Sequence, residues 1–590
     1  MLIFTFSTFI ITNIFALIGR FFLNNKKLDI SYNILVGIFF YALLNLIFAT
    51  FYKLSGIFYY SVVAIIIVFA AKNFKNITRK EYYKIFFLSF FVSTFSVNII
   101  PGYDAGLYHF PLQNWLSDYG VSFGLINFNH RFSNVSILNF MNSPLWIKDN
   151  PIILITISLI FYLIFFLKIF ELLNSKDLKK ISVALITLLT MVLWSRYQQP
   201  TYGLVDFSYS VIYFIFLVNI IPEIISKKFN KNNDFIFINL IIFCLIFTFK
   251  MSGILTVTFL IFYLLKRDIL NTISKSISEY KVITFSIFLF LLLWLSVNII
   301  ISGCINPFIE YTCFNLEWSN QDYIKMINQQ IEEWKIKIIN FTTLLSYLKI
   351  EFFLFSFFLL LINLFLLYYL KRKYNKSLFL ISLILLLFLY ILTVSSLQDL
   401  ANFYQKIDLM NSTDKYQIFK FEIISILSVY ILSFNLVAFI VLVQMKQIKF
   451  HEYNFKYFLL IILFILNIYL WMSKNPDPRL GLQYFITLGP ILILLILKPF
   501  EFKKIQFKEI YTYITIFIFI FVSNNFDLRY LILPSYKDVP IVKTFKREGF
   551  GVKPDLKVDN LCWLEKNCYY YNDDLIIDKK LGKIKFVSNN

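Results

Sequence analysis

Two stretches, Ile152 to Phe170 and Phe352 to Leu370, run almost free of charge for about 20 residues, the length a helix needs to cross a hydrocarbon core. Runs of this kind recur along the 590-residue chain, in which 59% of the side chains are hydrophobic and only 15% are charged. A backbone placed in lipid must satisfy its own N–H and C=O groups, so helices are the expected spans. Sixteen are predicted, near 2–20, 33–52, 56–71, 85–100, 151–170, 181–195, 205–222, 235–249, 252–265, 283–301, 351–370, 377–396, 421–444, 457–472, 484–497 and 510–523. The first 20 residues lack a basic flank and a small-residue cleavage site, so a retained span is expected there.

The formal net charge of +21 would suggest nucleic acid in a soluble protein. Here the basic residues alternate with the spans, so they read as orientation signals and no nucleic-acid partner is expected. Clusters at Lys26-Lys27, Arg79-Lys80, Lys176 to Lys180, Lys227 to Lys231, Lys266-Arg267, Lys371 to Lys373, Lys446 to Lys456 and Lys498 to Lys508 recur once per pair of spans. Placing them all inside puts about 30 of the 56 Lys and Arg residues in eight short loops. The expected fold class is an all-α polytopic membrane protein of roughly 16 transmembrane helices. Residues 1–523 form the membrane domain, with large outside loops at 101–150 and 302–349, and 524–590 form a small outside tail.

No Walker motif, GxGxxG or internal repeat is present, and the inside loops are too short for a nucleotide-binding domain. Five cysteines follow the same topology: Cys304 and Cys313 share one outside loop, Cys562 and Cys568 share the tail, and Cys244 lies within a span. Two disulfides or free thiols both fit that spacing. The tail segment VDNLCWLEKNCYYYNDD suggests a small β-rich cap, and Asn320 to Lys349 suggests a surface helix.

The first outside loop holds the densest polar chemistry. In PGYDAGLYHFP, Pro101 and Gly102 end a span and leave Asp104 at the membrane boundary, as a helix cap or as a reactive carboxylate. His109 and Tyr108 follow, and two of the three histidines, His109 and His130, fall in this loop. Pro111 suits an early helical position, and Leu112, Trp115, Leu116 and Tyr119 then make one apolar stripe that Gly120 stops. That is the pattern of a short helix lying on the membrane surface. In GLINFNHRFSN, Arg131 is a charged fork suited to phosphate or lipid headgroups, and Asn127 offers an amide to hydroxyl-rich ligands.

Other candidates lie further along. Lys250, in FTFKMSG, sits in a tight hairpin with no extended loop to carry it into water, which marks a functional lysine or one that snorkels. Asp206 opens a span after QQPTYGLV, as a cap or as a wall of the same outer cavity as Asp104. In NPDPRLG two prolines hold Asp477 and Arg479 in a rigid turn, as a structural pair or an anion clamp.

An acidic residue in the first large outside loop of a many-spanning chain, followed by an interfacial helix, resembles the GT-C superfamily of polyprenyl-phosphate-sugar-dependent glycosyltransferases. More closely, YDAGLYHFPLQNWLSDYGVSFGLINFNHRFSN, FKMSG, SGCINPF with FNLEW, and PDPRLG resemble a bacterial membrane-protein family found with surface-polysaccharide genes. The resemblance implies an enzyme of the bacterial inner membrane, its active site facing outward. It would transfer a sugar from a polyprenyl-phosphate donor to a glycan or lipid-linked acceptor, with inversion. Asp104 inherits the role of general base or metal ligand, with His109 and Tyr108 orienting the acceptor. Arg131, Lys250 or Arg479 would bind the leaving phosphate, and membrane lipids and the prenyl chain are the other partners. Many members carry paired acids at this position, whereas Ala105 and Gly106 follow Asp104. Catalysis without a tightly held divalent metal or other cofactor is therefore the expectation. A polysaccharide polymerase shares the compartment and the basic outside residues. A flippase or transporter of lipid-linked sugars predicts internal repeats and charges along a pathway, and an envelope assembly subunit predicts a replaceable Asp104.

Overall fold

The computed structural model describes residues 2–23, 28–72, 77–96, 108–133, 135–146, 152–175, 177–194, 205–225, 233–307, 309–320, 455–474 and 481–496, the isolated positions 322, 324, 325, 329 and 513, and four short strands in the tail. The helices are α1 (Leu2–Leu23), α2 (Ile30–Phe51), α3 (Ile57–Ala71), α4 (Arg79–Ser93), α5 (Phe110–Tyr119), α6 (Leu125–Phe128), α7 (Ile137–Asn142), α8 (Ile155–Leu173), α9 (Leu178–Trp194), α10 (Asp206–Ile225), α11 (Asn233–Phe249), α12 (Val257–Leu264), α13 (Arg267–Ser276), α14 (Lys281–Ser302), α15 (Phe455–Lys474) and α16 (Leu482–Ile496). Among the described residues, α1, α2, α8, α10 and α14 are long and apolar enough to cross a membrane, and five further apolar helices are shorter. The expected spans near 351–370, 377–396, 421–444 and 510–523 lie outside the described residues.

The centre of the bundle is α8, whose apolar window is 94% buried, against 39% for α14. It packs against α1, α2, α4, α7, α9 and α10. The periphery leaves apolar side chains uncovered: Phe285, Phe288 and Leu292 run up one face of α14, and Ile57, Phe58, Val68 and Phe69 are exposed on α3. Such faces suit lipid and would be costly in water. Because lipid tails are as apolar as leucine, helix association in a bilayer depends on close packing. The tightest crossing joins α1 to α2, where a Cβ on Gly19 would strike the Asn33 carbonyl and one on Gly37 the Phe15 carbonyl. Only glycine permits that approach.

The two ends of the bundle differ in their polar contacts. At the basic end, Arg20 of α1 pairs with Glu81 of α4 (2.5 Å), and Thr78 with Glu81 closes a capping box on α4. Lys266 donates to the Glu223 carbonyl. Tyr280, just before α14, donates to Asp234 of α11 (2.5 Å), and burial followed by this hydrogen bond raises its hydroxyl pKa. The opposite end carries the described parts of both large loops. Two antiparallel hairpins, β1 (Thr544–Lys546) with β2 (Val552–Pro554) and β3 (Leu575–Lys580) with β4 (Lys583–Ser588), lie in the tail. These strands flank the tail segment expected to form a small β-rich cap, and the β-branched residues of LIIDKK and KIKFVS favour them. The quoted segment 558–574 lies outside the described residues. β4 runs beside α6, so the last hairpin meets the first loop.

Candidate functional site

The residues of the first loop fold into a layer at one end of the bundle. Tyr108 and His109 form a single wide turn, with their rings 4.1 Å apart, and α5 starts immediately afterwards with Pro111 in its first turn. Gly120 ends α5 at φ +68°, and a Cβ there would strike the carbonyls of Tyr52 and Ala49. Two hydrogen bonds stitch this corner to α2 and the turn after it: Val121 N–H to Ala49 O (2.8 Å) and Leu54 N–H to Leu116 O (3.4 Å). Phe110 to Ser117 are all buried. The sequence pattern predicted a helix lying on the membrane surface; α5 is instead enclosed, because α2, α7 and the turn at Ser143–Leu145 pack around it.

The short helix α7 is held from below. Asn45 Nδ2 donates to Phe140 O (3.2 Å), Tyr41 to Met141 O (2.9 Å) and Tyr60 to Pro144 O (3.1 Å), while Tyr59 donates to Asn45 Oδ1 (2.7 Å). These bonds give the carbonyls of Phe140, Met141 and Pro144 side-chain donors. In turn α7 touches α2, α8 and α11, which sets the loop on the helix ends.

The second loop joins the first. Gly124 N–H bonds Ile300 O (2.9 Å), Trp318 Nε1 bonds Ile299 O (3.1 Å), and the Trp318 ring lies 4.9 Å from Phe123. Asn127 Nδ2 donates to Trp318 O (3.0 Å) and its Oδ1 accepts from Asn320 (3.0 Å), so both ends of this amide clamp the two loops together. Cys304 and Cys313 form a disulfide inside the second loop, beside Ile126 and Ile324. Cys244 is a buried free thiol, and the tail cysteines lie outside the described residues. Arg131 follows on an exposed turn, its backbone N–H held by Asn129 Oδ1 (3.0 Å).

Two separately expected residues meet. Lys250 Nζ donates to Asp206 Oδ1 at 2.6 Å, with the lysine side chain 15% exposed and the aspartate 6%. Asp206 is the first residue of α10, and Lys250 follows the last residue of α11. Aromatic rings floor the pair: the Tyr209 ring centre is 5.8 Å from the ammonium, Tyr209 stacks on Tyr213, and Phe207 stacks on Tyr162 at 3.7 Å. With the opposite charge at hydrogen-bond distance, this lysine does not have to reach for water. His109 is 4% exposed at the N-terminus of α5. Asp104, Asp477 and Arg479 lie outside the described residues. Among the described residues, no three His, Cys, Asp or Glu side chains group as a metal site.

Sequence reading missed a second polar cluster, at the basic end. Lys168 of α8 donates to Tyr32 OH (2.7 Å) and to Glu171 Oε2 (3.2 Å). Tyr32 donates to Asn219 Oδ1 (2.7 Å), Asn219 to Asn239 (3.2 Å) and Asn239 to Tyr263 (3.4 Å), while Ser31 donates to Glu171 (2.8 Å). This chain pins α2, α8, α10, α11 and α12 together. One signal was available: Lys168 and Glu171 stand three apart in an otherwise apolar run, the spacing of a helical ion pair.

No curated protein and no solved structure matches this chain. A family model matches residues 1–399, which include the loop layer, Asp206, Lys250 and the disulfide, and the chain therefore belongs to the family described as Domain of unknown function (DUF8201).

Proposed function

We propose that this protein is a membrane glycosyltransferase of GT-C type that moves a sugar from a polyprenyl-phosphate donor to a glycan or lipid-linked acceptor during surface-polysaccharide synthesis. The observation that carries the reading is the folded loop layer. A membrane protein has invested two loops, a disulfide and a buried aromatic floor in one end of its bundle, directly after the segment that holds Asp104. Disulfides persist in oxidising compartments, so the Cys304–Cys313 bond supports placing this end on the outer face of the bacterial inner membrane. A lipid-linked donor fits a chain whose inside loops are too short to hold a nucleotide-binding domain.

In this reading Asp104 accepts the proton of the acceptor hydroxyl. The acceptor oxygen attacks the anomeric carbon from the face opposite the phosphate, the new glycosidic C–O bond forms, and the bond to the phosphate oxygen breaks. Arg131 on its exposed turn, Lys250 and Arg479 supply positive charge for the departing phosphate. Asp206 sets the position of the Lys250 ammonium. Tyr108 and His109 order the entry into α5, and Asn127 fixes the loop that presents Arg131.

The test is transfer in proteoliposomes supplied with polyprenyl-phosphate hexoses and oligosaccharide acceptors, read by mass spectrometry. A product heavier by one hexose supports the transferase. Donor that crosses the bilayer without a new product supports a flippase, and extension by whole repeat units supports a polymerase.

A further inference from the structure

Three carboxamides in the loop layer have polar atoms with no hydrogen-bond partner among the described residues. Gln113 of α5 and Asn139 of α7 touch only through a long contact, Nε2 to Oδ1 at 3.5 Å. Asn142 stands three residues beyond Asn139, on the same face of α7. All three side chains are 0% exposed. Among the described residues, Gln113 Oε1, Asn139 Nδ2, Asn142 Nδ2 and Asn142 Oδ1 have no hydrogen-bond partner. Asn142 also makes no capping bond to the turn that follows it.

Native proteins rarely bury such groups unsatisfied, least of all several in one place. The orphan atoms comprise two donors and two acceptors, carry no charge, and sit within one turn of α7 and its facing residue on α5. Two neighbouring hydroxyls match that set, because each hydroxyl donates once and accepts from a donor. Aromatic pairs stand on the same two helices: Phe110 of α5 lies 5.8 Å from Trp146, and Phe140 of α7 lies 6.2 Å from Trp294. Aromatic faces suit the C–H faces of a sugar ring, and neutral amides suit its hydroxyls without competing for the phosphate.

We infer that Gln113, Asn139 and Asn142 form a carbohydrate subsite that recognises two adjacent hydroxyls of the transferred sugar. The inference rests on the lipid-linked-donor reading for the source of that sugar. It places sugar selection on α5 and α7, apart from the phosphate-binding charges.

The experiment compares binding of undecaprenyl phosphate and of undecaprenyl-phosphate hexoses to the full-length protein in lipid nanodiscs. The variants are Asn142→Leu, Gln113→Met and wild type, and thermal stability is measured in parallel. The readout is the ratio of the two affinities. The subsite predicts at least about 10-fold tighter binding of one sugar-bearing lipid by wild type, with the ratio falling to about 1 in both variants. A wild-type ratio retained in both variants overturns the subsite and leaves the donor reading standing. Binding of methyl hexosides that needs Asn142, with neither lipid bound, keeps the subsite and overturns the donor reading. No sugar preference in wild type, with variants that are merely more stable, means that the amides hold buried water only, and overturns the subsite.

Discussion

Lys250 and Asp206 form a buried ion pair that closes the loop end of α10 and α11, 44 residues apart in sequence and 2.6 Å apart in space. Removing one partner leaves the other charge in a place where water reaches it poorly. Lys250→Met or Asp206→Asn is expected to cost about 3 kcal/mol, and the double variant less than the sum of the singles. Denaturation of the three variants in detergent checks this, and additive losses would show that the contact carries no coupling.

At the basic end, Lys168→Met strands Glu171 of α8, leaving it the Ser31 hydroxyl of α2. The expected loss is about 3–5 kcal/mol, most of which the second change Glu171→Gln restores. A Lys168→Met protein as stable as wild type would show that the cluster does not hold the bundle together.

Gly120 combines a positive φ with carbonyls where a Cβ would go. Gly120→Ala is expected to destabilise by about 1–3 kcal/mol, and to loosen α5 before the rest of the bundle. Hydrogen exchange of α5 amides compared with those of α8 measures the difference; equal protection in the variant would contradict it.

The orientation is open to labelling with a membrane-impermeant maleimide in spheroplasts. In a background with Cys562 and Cys568 replaced by serine, Arg131→Cys on the loop end is expected to react. Ser274→Cys on the basic end is expected to react only after permeabilisation. The reverse pattern would invert the topology.

Much of the helical frame was legible from hydropathy, because a span must be long and apolar whatever it packs against. The limits of α5 were legible too, since Pro111 and Gly120 act locally. Its surroundings were not. Gln113 and Asn114 lie off the apolar stripe of Leu112, Trp115, Leu116 and Tyr119, yet both are buried, and no local rule reports such cover. Lys250 was visible as a misplaced charge and Asp206 as a helix cap or cavity wall, but their pairing depends on how α10 meets α11. Lys168 disappeared into the average hydropathy of its run. Asn127 was read as a ligand contact from its residue type, and the structure engages both ends of its amide with Trp318 and Asn320.

The most direct measurement is sugar transfer by the purified, reconstituted protein from polyprenyl-phosphate hexoses, comparing wild type with Asp104→Asn at matched folding. The account predicts transfer by wild type and a loss of at least about 100-fold in the variant, the scale of a positioned general base. Equal rates in the two proteins would remove Asp104 from the chemistry, and no transfer by wild type from any such donor would contradict the glycosyltransferase reading itself.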